Sequence, residues 1–205
     1  VDQSIDTCTN NFATLNPLNA QAGINYSEGN LFSADSDDGT HRSSFATIGV
    51  SSGKWFWEAN TVGGLRFGII NADSAILNTT GDLSADAAGY FYSINGQLFN
   101  NGSGASYGAS YTSNDKISIA LNLDDNQITF YKNGASQGAS SITSGLTYLP
   151  AHDSFNQYDG YQYNFGSPMY SESGGNSDGN GYGNFSISVP SGYFSLNTKN
   201  LAEYG

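Results

Sequence analysis

The chain has 205 residues, a length that suits one all-β domain. Its 18 acidic residues outweigh 6 basic ones, for a net charge of −12. That excludes the phosphate-neutralising surface nucleic acids require and disfavours binding to anionic membrane surfaces. No apolar run nears the roughly 20 residues that cross a bilayer, so no membrane insertion is expected. The lone Cys8 cannot form an internal disulfide, and with only His41 and His152 beside it the usual zinc spacings are missing. A start at Val1, with no secretory signal pattern, is expected of a piece of something longer. The 14 Tyr and 12 Phe can carry much of a core, and the 26 Gly suit many strands joined by tight turns.

In chain order, residues 1–11 are polar and are expected to pack weakly. Phe12–Leu18 reads as a first strand ending at Pro17, and Ile24–Phe32 as another with a turn near Glu28-Gly29. Asp35–Arg42 is a charged loop, and Phe45–Val50 alternates. Ser52–Glu58 is a turn feeding an aromatic strand, and Leu65–Ile70 is a short apolar strand. Asn71–Ala88 is a long loop with room for a helical turn. Gly89–Phe99 reads as a hairpin with Asn95-Gly96 at its tip, followed by loop or strand over Asn100–Thr112.

The most explicit stretch is Asp115–Gly138. Ile117, Ile119, Leu121 and Leu123 alternate with Ser118, Ala120 and Asn122, a period of two that predicts a strand with one buried face. Asp124-Asp125-Asn126 supplies a turn, and Ile128, Phe130 and Tyr131 carry the return strand. Asn133-Gly134 then fits a type I′ turn, because both residues tolerate positive φ. Ile142–Leu149 leads to Pro150, and Phe155–Phe165 is rich in tyrosine. Ser171–Gly183 is a Gly/Asn/Ser-rich insertion expected to be flexible, and Phe185–Val189 and Tyr193–Leu196 are the last strand candidates. Many short strands and scarce helix predict an all-β, antiparallel β-sandwich in a single domain over 1–205, with a C-terminal strand segment at 185–205.

Several motifs occur together: SGKWFWE at Ser52–Glu58, Phe67-Gly68-Ile69, the hairpin with its Phe-Tyr-Lys-Asn-Gly run, Leu149-Pro150-Ala151, and Asn164-Phe165-Gly166. In this order they resemble the SPRY (B30.2-like) family, and they cover roughly residues 50–168. The resemblance implies a concanavalin A-like, jelly-roll sandwich that recognises partners through loops at one end. The flanks, NNFATLNPL at Asn10–Leu18 and VPSGYFSLNTKNLAEYG at Val189–Gly205, resemble the ends of SPRY-like modules in bacteriophage structural proteins.

Catalytic chemistry is hard to place. A glycosidase needs two carboxylates facing one cleft, and the four glutamates, Glu28, Glu58, Glu172 and Glu203, do not share a predicted strand. Glu58 follows Trp57 in the family motif and is expected to be structural. Neither histidine lies near a Gly-x-Ser-x-Gly elbow. His152 and Asp153 are neighbours in a predicted strand, so their side chains point to opposite faces, and both histidines are expected to be surface or packing residues. Asp35–Gly39 is dense in hard oxygen ligands but lacks the twelve-residue calcium-loop pattern, and a solvated acidic loop is expected. The expectation is therefore no enzyme, no cofactor and no metal.

Binding loops are the alternative source of function. The candidates are Asn71–Ala88, Asn100–Tyr111 and Ser154–Tyr161, the last two rich in the Tyr, Ser, Asn and Gly that suit recognition surfaces. The proposed binding residues are Tyr107, Tyr111, Asp153, Gln157, Tyr158, Asp159 and Tyr161, with the tyrosines stacking on sugar rings or packing on protein. Tyr163 is expected in the core. The phage-like flanks imply a virion or extracellular module of a tail fibre, spike or capsid appendage. Its partners are then a host-surface glycan or protein and other virion proteins, and a fibre or spike implies a homotrimer. A capsid-decoration or fibre-assembly domain, and a cellular SPRY adaptor for a peptide, are the alternatives.

Overall fold

The computed structural model describes residues 6–19, 23–35, 40–63, 65–79, 81–155, 160–169 and 174–205. Two antiparallel sheets face each other. The first runs β1 (Ile24–Ser27), β2 (Phe32–Asp35), β13 (Gly160–Asn164), β4 (Lys54–Val62), β9 (Ile117–Asn122), β10 (Gln127–Lys132) and β11 (Ala135–Ser141). The short β14 (Phe194–Ser195) adds in parallel to the start of β4. The second sheet runs β3 (His41–Phe45), β12 (Tyr148–Phe155), β5 (Arg66–Asn71), β6 (Tyr90–Ser93), β7 (Gln97–Asn100) and β8 (Ser103–Ser106). The expected antiparallel β-sandwich is therefore the fold.

Aromatic residues fill the space between the sheets. Trp55 and Trp57 pair with Leu121 and Ile119 across β4 and β9, and all four are fully buried. Phe67 of the second sheet meets Tyr161 and Tyr163 of the first edge-on, at ring distances of 5.4 and 6.0 Å. Tyr163 is core, as expected. Gly68 has a steric reason: a Cβ there would lie 1.9 Å from the Tyr90 carbonyl oxygen. The β10–β11 turn has φ of +50° at Asn133 and +83° at Gly134, the conformation expected of a type I′ turn.

The turn expected near Glu28-Gly29 is present; it separates β1 from β2, which starts only at Phe32. Other local expectations change. Pro17 opens a single-turn 3-10 helix, Pro17–Asn19, and Phe12 and Leu15 make only isolated bridges to Asn197 and Ala46. The loop after β5 carries two such helices, Ala75–Asn78 and Leu83–Ala85. The C-terminus adds a short α-helix, α1 (Thr198–Tyr204), with Asn197 as its N-cap accepting from the amides of Lys199 and Asn200.

The largest departure concerns β9, whose six residues are all buried, not one face of them. The outer face is covered by the C-terminal segment, where Phe185, Ile187, Val189 and Tyr193 pack over Phe56 and Ala120. Glu58, fully buried on that face, holds the cover by its backbone. Its Oε2 accepts from the Ser186 amide at 3.0 Å and Asn164 Nδ2 at 3.2 Å, and its Oε1 from the Ile187 amide at 3.0 Å. Within the glycine-rich insertion, Asp178 Oδ2 accepts from the amide and hydroxyl of Ser195 and from Asn200 Nδ2, at 2.9, 2.6 and 2.8 Å. The two flanks also meet: the Ala13 amide donates to the Leu196 carbonyl at 2.9 Å, and the Thr198 amide to the Asn11 carbonyl at 3.0 Å.

Removing the Glu58 carboxylate takes the acceptor from the Ser186 and Ile187 amides and one of the two acceptors from Asn164 Nδ2, which keeps the Asn184 carbonyl. Glu58→Ala is expected to lose about 3 kcal/mol of stability in urea unfolding, and Glu58→Gln less, because it keeps one acceptor oxygen. A loss from Glu58→Ala no larger than from an exposed substitution contradicts this role.

Candidate binding surface

The strand registers bring several loops to one end of the sandwich. Gly160 pairs with Ala34 and bridges Gly63, Phe155 pairs with His41, and Asp153 pairs with Arg66, which in turn pairs with Ser93. The ends of β2, β4, β6 and β12 and the starts of β3, β5 and β13 therefore lie together. Two large apolar side chains stand out there, Val62 at 53% exposure and Phe155 at 41%. The His41 ring packs on Phe155 with centroids 4.5 Å apart.

The outer face of the second sheet is layered toward that end. An apolar patch of Phe45, Ile70, Phe91 and Ala151 is covered by Leu77 and Leu83 of the two 3-10 helices. A charged layer follows. Arg66 Nη1 donates to Asp82 Oδ1 at 2.9 Å, Ser84 Oγ at 2.6 Å and Asp153 Oδ2 at 3.2 Å. Its guanidinium lies 4.3 Å from the centre of the Phe99 ring. His41 Nδ1 is 3.4 Å from Asp153 Oδ1. Asp82 also caps the second 3-10 helix by accepting from the Ser84 amide at 2.8 Å. Phe155 sits on this layer, so an exposed ring rests on a charged base.

Burial sets the electrostatics. Asp153 is fully buried, and loss of hydration pushes its carboxyl up to about 6 against the pull of His41 and Arg66. The hydrogen bond to Asp153 raises His41, while Ser84 and Arg66 outweigh partial burial and lower Asp82. One donor atom each from His41, Asp82 and Asp153 lies within 4.8 Å of the others. Arg66 already bridges both carboxylates, so a metal ion there would meet a guanidinium, and the group is better suited to joining β3, β5, β12 and the 3-10 turn. Asp35 was expected in a solvated acidic loop. It is instead buried, accepts from the Ser154 hydroxyl, and is pushed up to about 6 by burial; residues 36–39 lie outside the described residues.

The proposed binding residues separate. Tyr111 and Tyr161 are 2% and 0% exposed, so neither offers a ring to a ligand. The Tyr111 hydroxyl lies 3.1 and 3.0 Å from the carbonyls of Leu65 and Tyr92. Tyr161 stacks on His152 at 3.9 Å; its hydroxyl donates to the Asp153 carbonyl and accepts from the Leu65 amide, both at 2.9 Å. Their rings turn inward because the gap between the sheets needs large apolar bodies and both hydroxyls find partners inside. Asp153 is likewise internal. Gln157, Tyr158 and Asp159 lie outside the described residues. Tyr107 is half-buried on the far flank, its hydroxyl donating to the Gly138 carbonyl and accepting from the Phe130 amide. His152 and Asp153 do point to opposite faces: His152 Nε2 lies 3.0 Å from Ser33 Oγ in the opposing sheet. Sequence reasoning missed His41, Arg66, Asp82 and Phe155 as one group. The usable signal was an apolar residue at an outward strand position, as at Phe155.

Residues 54–168, more than half of the chain, match the model of the SPRY domain. The chain belongs to the SPRY domain family. The match begins at β4 and ends just after β13, leaving β1–β3 and the C-terminal cover outside it. Among solved structures, the SPRY domain of human HERC1 is similar at 19% identity and a TM-score of 0.61, covering 73% of this chain and 96% of that one. The TRIM65 PSpry domain is similar at 12% identity and a TM-score of 0.62, over 75% of this chain and 92% of that one. Stonustoxin shares the fold at 17% identity and a TM-score of 0.61, over 74% of this chain and 27% of that longer one. At these identities the likeness establishes the SPRY fold and nothing finer.

His152 gives this SPRY domain a testable acid response. Burial lowers its imidazole to about 3, and its Nδ1 has no hydrogen-bond partner among the described residues, so it is folded as the neutral form. A base depressed on folding contributes stability that is present above its unfolded value and lost as pH falls toward the folded one. Asp35 and Asp153, raised on folding, act in the opposite sense between about 4 and 6. Comparison with His152→Phe cancels them. The stability of wild type minus that of His152→Phe is expected to fall by roughly 3 kcal/mol from pH 7 to pH 4. An unchanged difference in denaturant unfolding contradicts the buried neutral imidazole.

Proposed function

We propose that this SPRY domain is a non-enzymatic recognition module whose partner docks on the loop end around Phe155 and His41. SPRY domains are typically protein-interaction modules, which supports the class of function. The observation that carries the site is the exposed Phe155 ring held on His41 above the buried Arg66–Asp153 layer. An apolar side chain fixed in place loses little freedom on binding, the property of an anchor residue. Tyr111 and Tyr161 turn inward and offer no ring to a sugar, and the exposed apolar Phe155 suits a protein or peptide.

The flanks support a narrower setting: a virion surface, as part of a phage tail fibre, spike or capsid appendage. The partner is then a host-surface protein or glycan, and the fibre form a homotrimer. This setting rests on the likeness of the terminal segments alone. A cellular adaptor that binds a peptide is the second reading, favoured by the likeness to the HERC1 and TRIM65 domains.

Selection of a displayed random-peptide library on the purified chain tests the site. Enriched peptides are expected to lose affinity more than about tenfold on Phe155→Ser, with the variant still folded by circular dichroism. Peptides that bind the variant as well as the wild type overturn the assignment.

A further inference from the structure

The opposite flank of the sandwich carries a second feature. The second sheet ends at β8, four strands away from the β3–β12 pair. The first sheet ends at β11. Between these two free edges lies an open groove of about 500 Å³, within the range of small-molecule sites. Tyr90, Leu98 and Tyr107 form its floor, and Leu98 and Tyr107 also pack against the main core. Ser103 and Ser106 of β8 line one rim, and Ser140 and Ser141 of β11 the other. Residues 107–109 cross from one edge toward the other. The Tyr107 hydroxyl donates to the Gly138 carbonyl, and the Ala109 amide donates to Gln137 Oε1 at 2.8 Å.

The lining selects a ligand by what it holds and by what it lacks. None of the groove residues is charged, on a chain whose net charge is −12. An anion meets no cationic partner there and is repelled by the molecule as a whole, while a cation finds no carboxylate. The groove offers a partly apolar aromatic floor and hydroxyl groups that both donate and accept. That pattern matches a molecule with C–H faces between rings of hydroxyls. We infer that the groove between β8 and β11 is a binding site for a short, uncharged oligosaccharide. The site does not depend on the loop end, so either assignment can fail alone.

The competing occupant is an extended peptide that adds to the free edge of β8 or β11, neither of which carries a charged residue. The discriminating experiment is nuclear magnetic resonance titration of the isotope-labelled chain with neutral oligosaccharides (malto-, cello- and galacto-oligomers) up to about ten times the millimolar dissociation constant expected of a shallow site. The expected result is shifts confined to residues 98–107 and 139–141, unaffected by salt. Ala105→Trp, which fills the groove from an exposed position paired with Leu98, is expected to weaken them at least tenfold while leaving library-selected peptides bound at Phe155. No shift with any neutral oligosaccharide overturns the inference. So do shifts that map to the Phe155 end, or shifts that Ala105→Trp leaves intact. A selected peptide that protects β8 or β11 amides and is displaced by Ala105→Trp, in the absence of any sugar response, assigns the groove to strand addition instead.

Discussion

Tyr161 ties the two sheets to each other and to the loop after β4. Its ring stacks on His152 of the opposing sheet and meets Phe67 edge-on, so it sets the gap between the two sheets. Its hydroxyl reaches the Asp153 carbonyl in β12 and the Leu65 amide in the loop after β4. One buried tyrosine thus ties the packing of the core to the end of β12 and to the loop after β4. Directly outside it, on the other face of β12, Asp153 carries the ion pairs to Arg66 and His41 that seat Phe155. The exposed anchor is rigid because two layers of buried contacts stand behind it.

A second constraint acts at the back of the first sheet. A free sheet of this sandwich would present Glu58, Ser118 and Asn122 to water. Here the C-terminal segment covers that face, and the Glu58 carboxylate supplies acceptors for the amides of Ser186 and Ile187. Asp178, Asn197 and Asn200 complete the closure around Ser195 with side-chain hydrogen bonds, with no large apolar contact among them. The SPRY match stops short of these residues, so the cover is an addition to the part of the chain that matches the family.

Much of the scaffold could be read from the chain because its signals are local. Alternation over Ile117–Leu123 and the positive-φ pair Asn133-Gly134 define a hairpin from nearest neighbours alone. The burial of Ser118 and Ala120 could not be read that way, since the covering Phe185 is more than sixty residues distant. The tyrosines misled for a related reason. Tyr111 lies in a loop, where no period says which way a ring points, and Tyr161 was read as the end of a loop although it belongs to β13; both turn inward to bond backbone that the sequence does not place beside them. The charged layer joins positions 41, 66, 82 and 153, which only the pairing of β3, β12 and β5 brings together. Asp153 was singled out, but as a surface ligand; its chemistry belongs to the support beneath the surface. Helix α1 escaped notice because seven residues carry too little periodicity to stand out beside an N-cap asparagine in an asparagine-rich chain.

A buried tyrosine frame holds the loop end of the sandwich in place. Amide hydrogen exchange at Leu65 in Tyr161→Phe tests it most directly, because that substitution keeps the ring and removes only the acceptor of the Leu65 amide. The frame predicts exchange at Leu65 faster by about tenfold or more, equivalent to about 1.4 kcal/mol of lost local protection, with amides of the distant β9–β10 hairpin unchanged. Unaltered protection at Leu65 would contradict it.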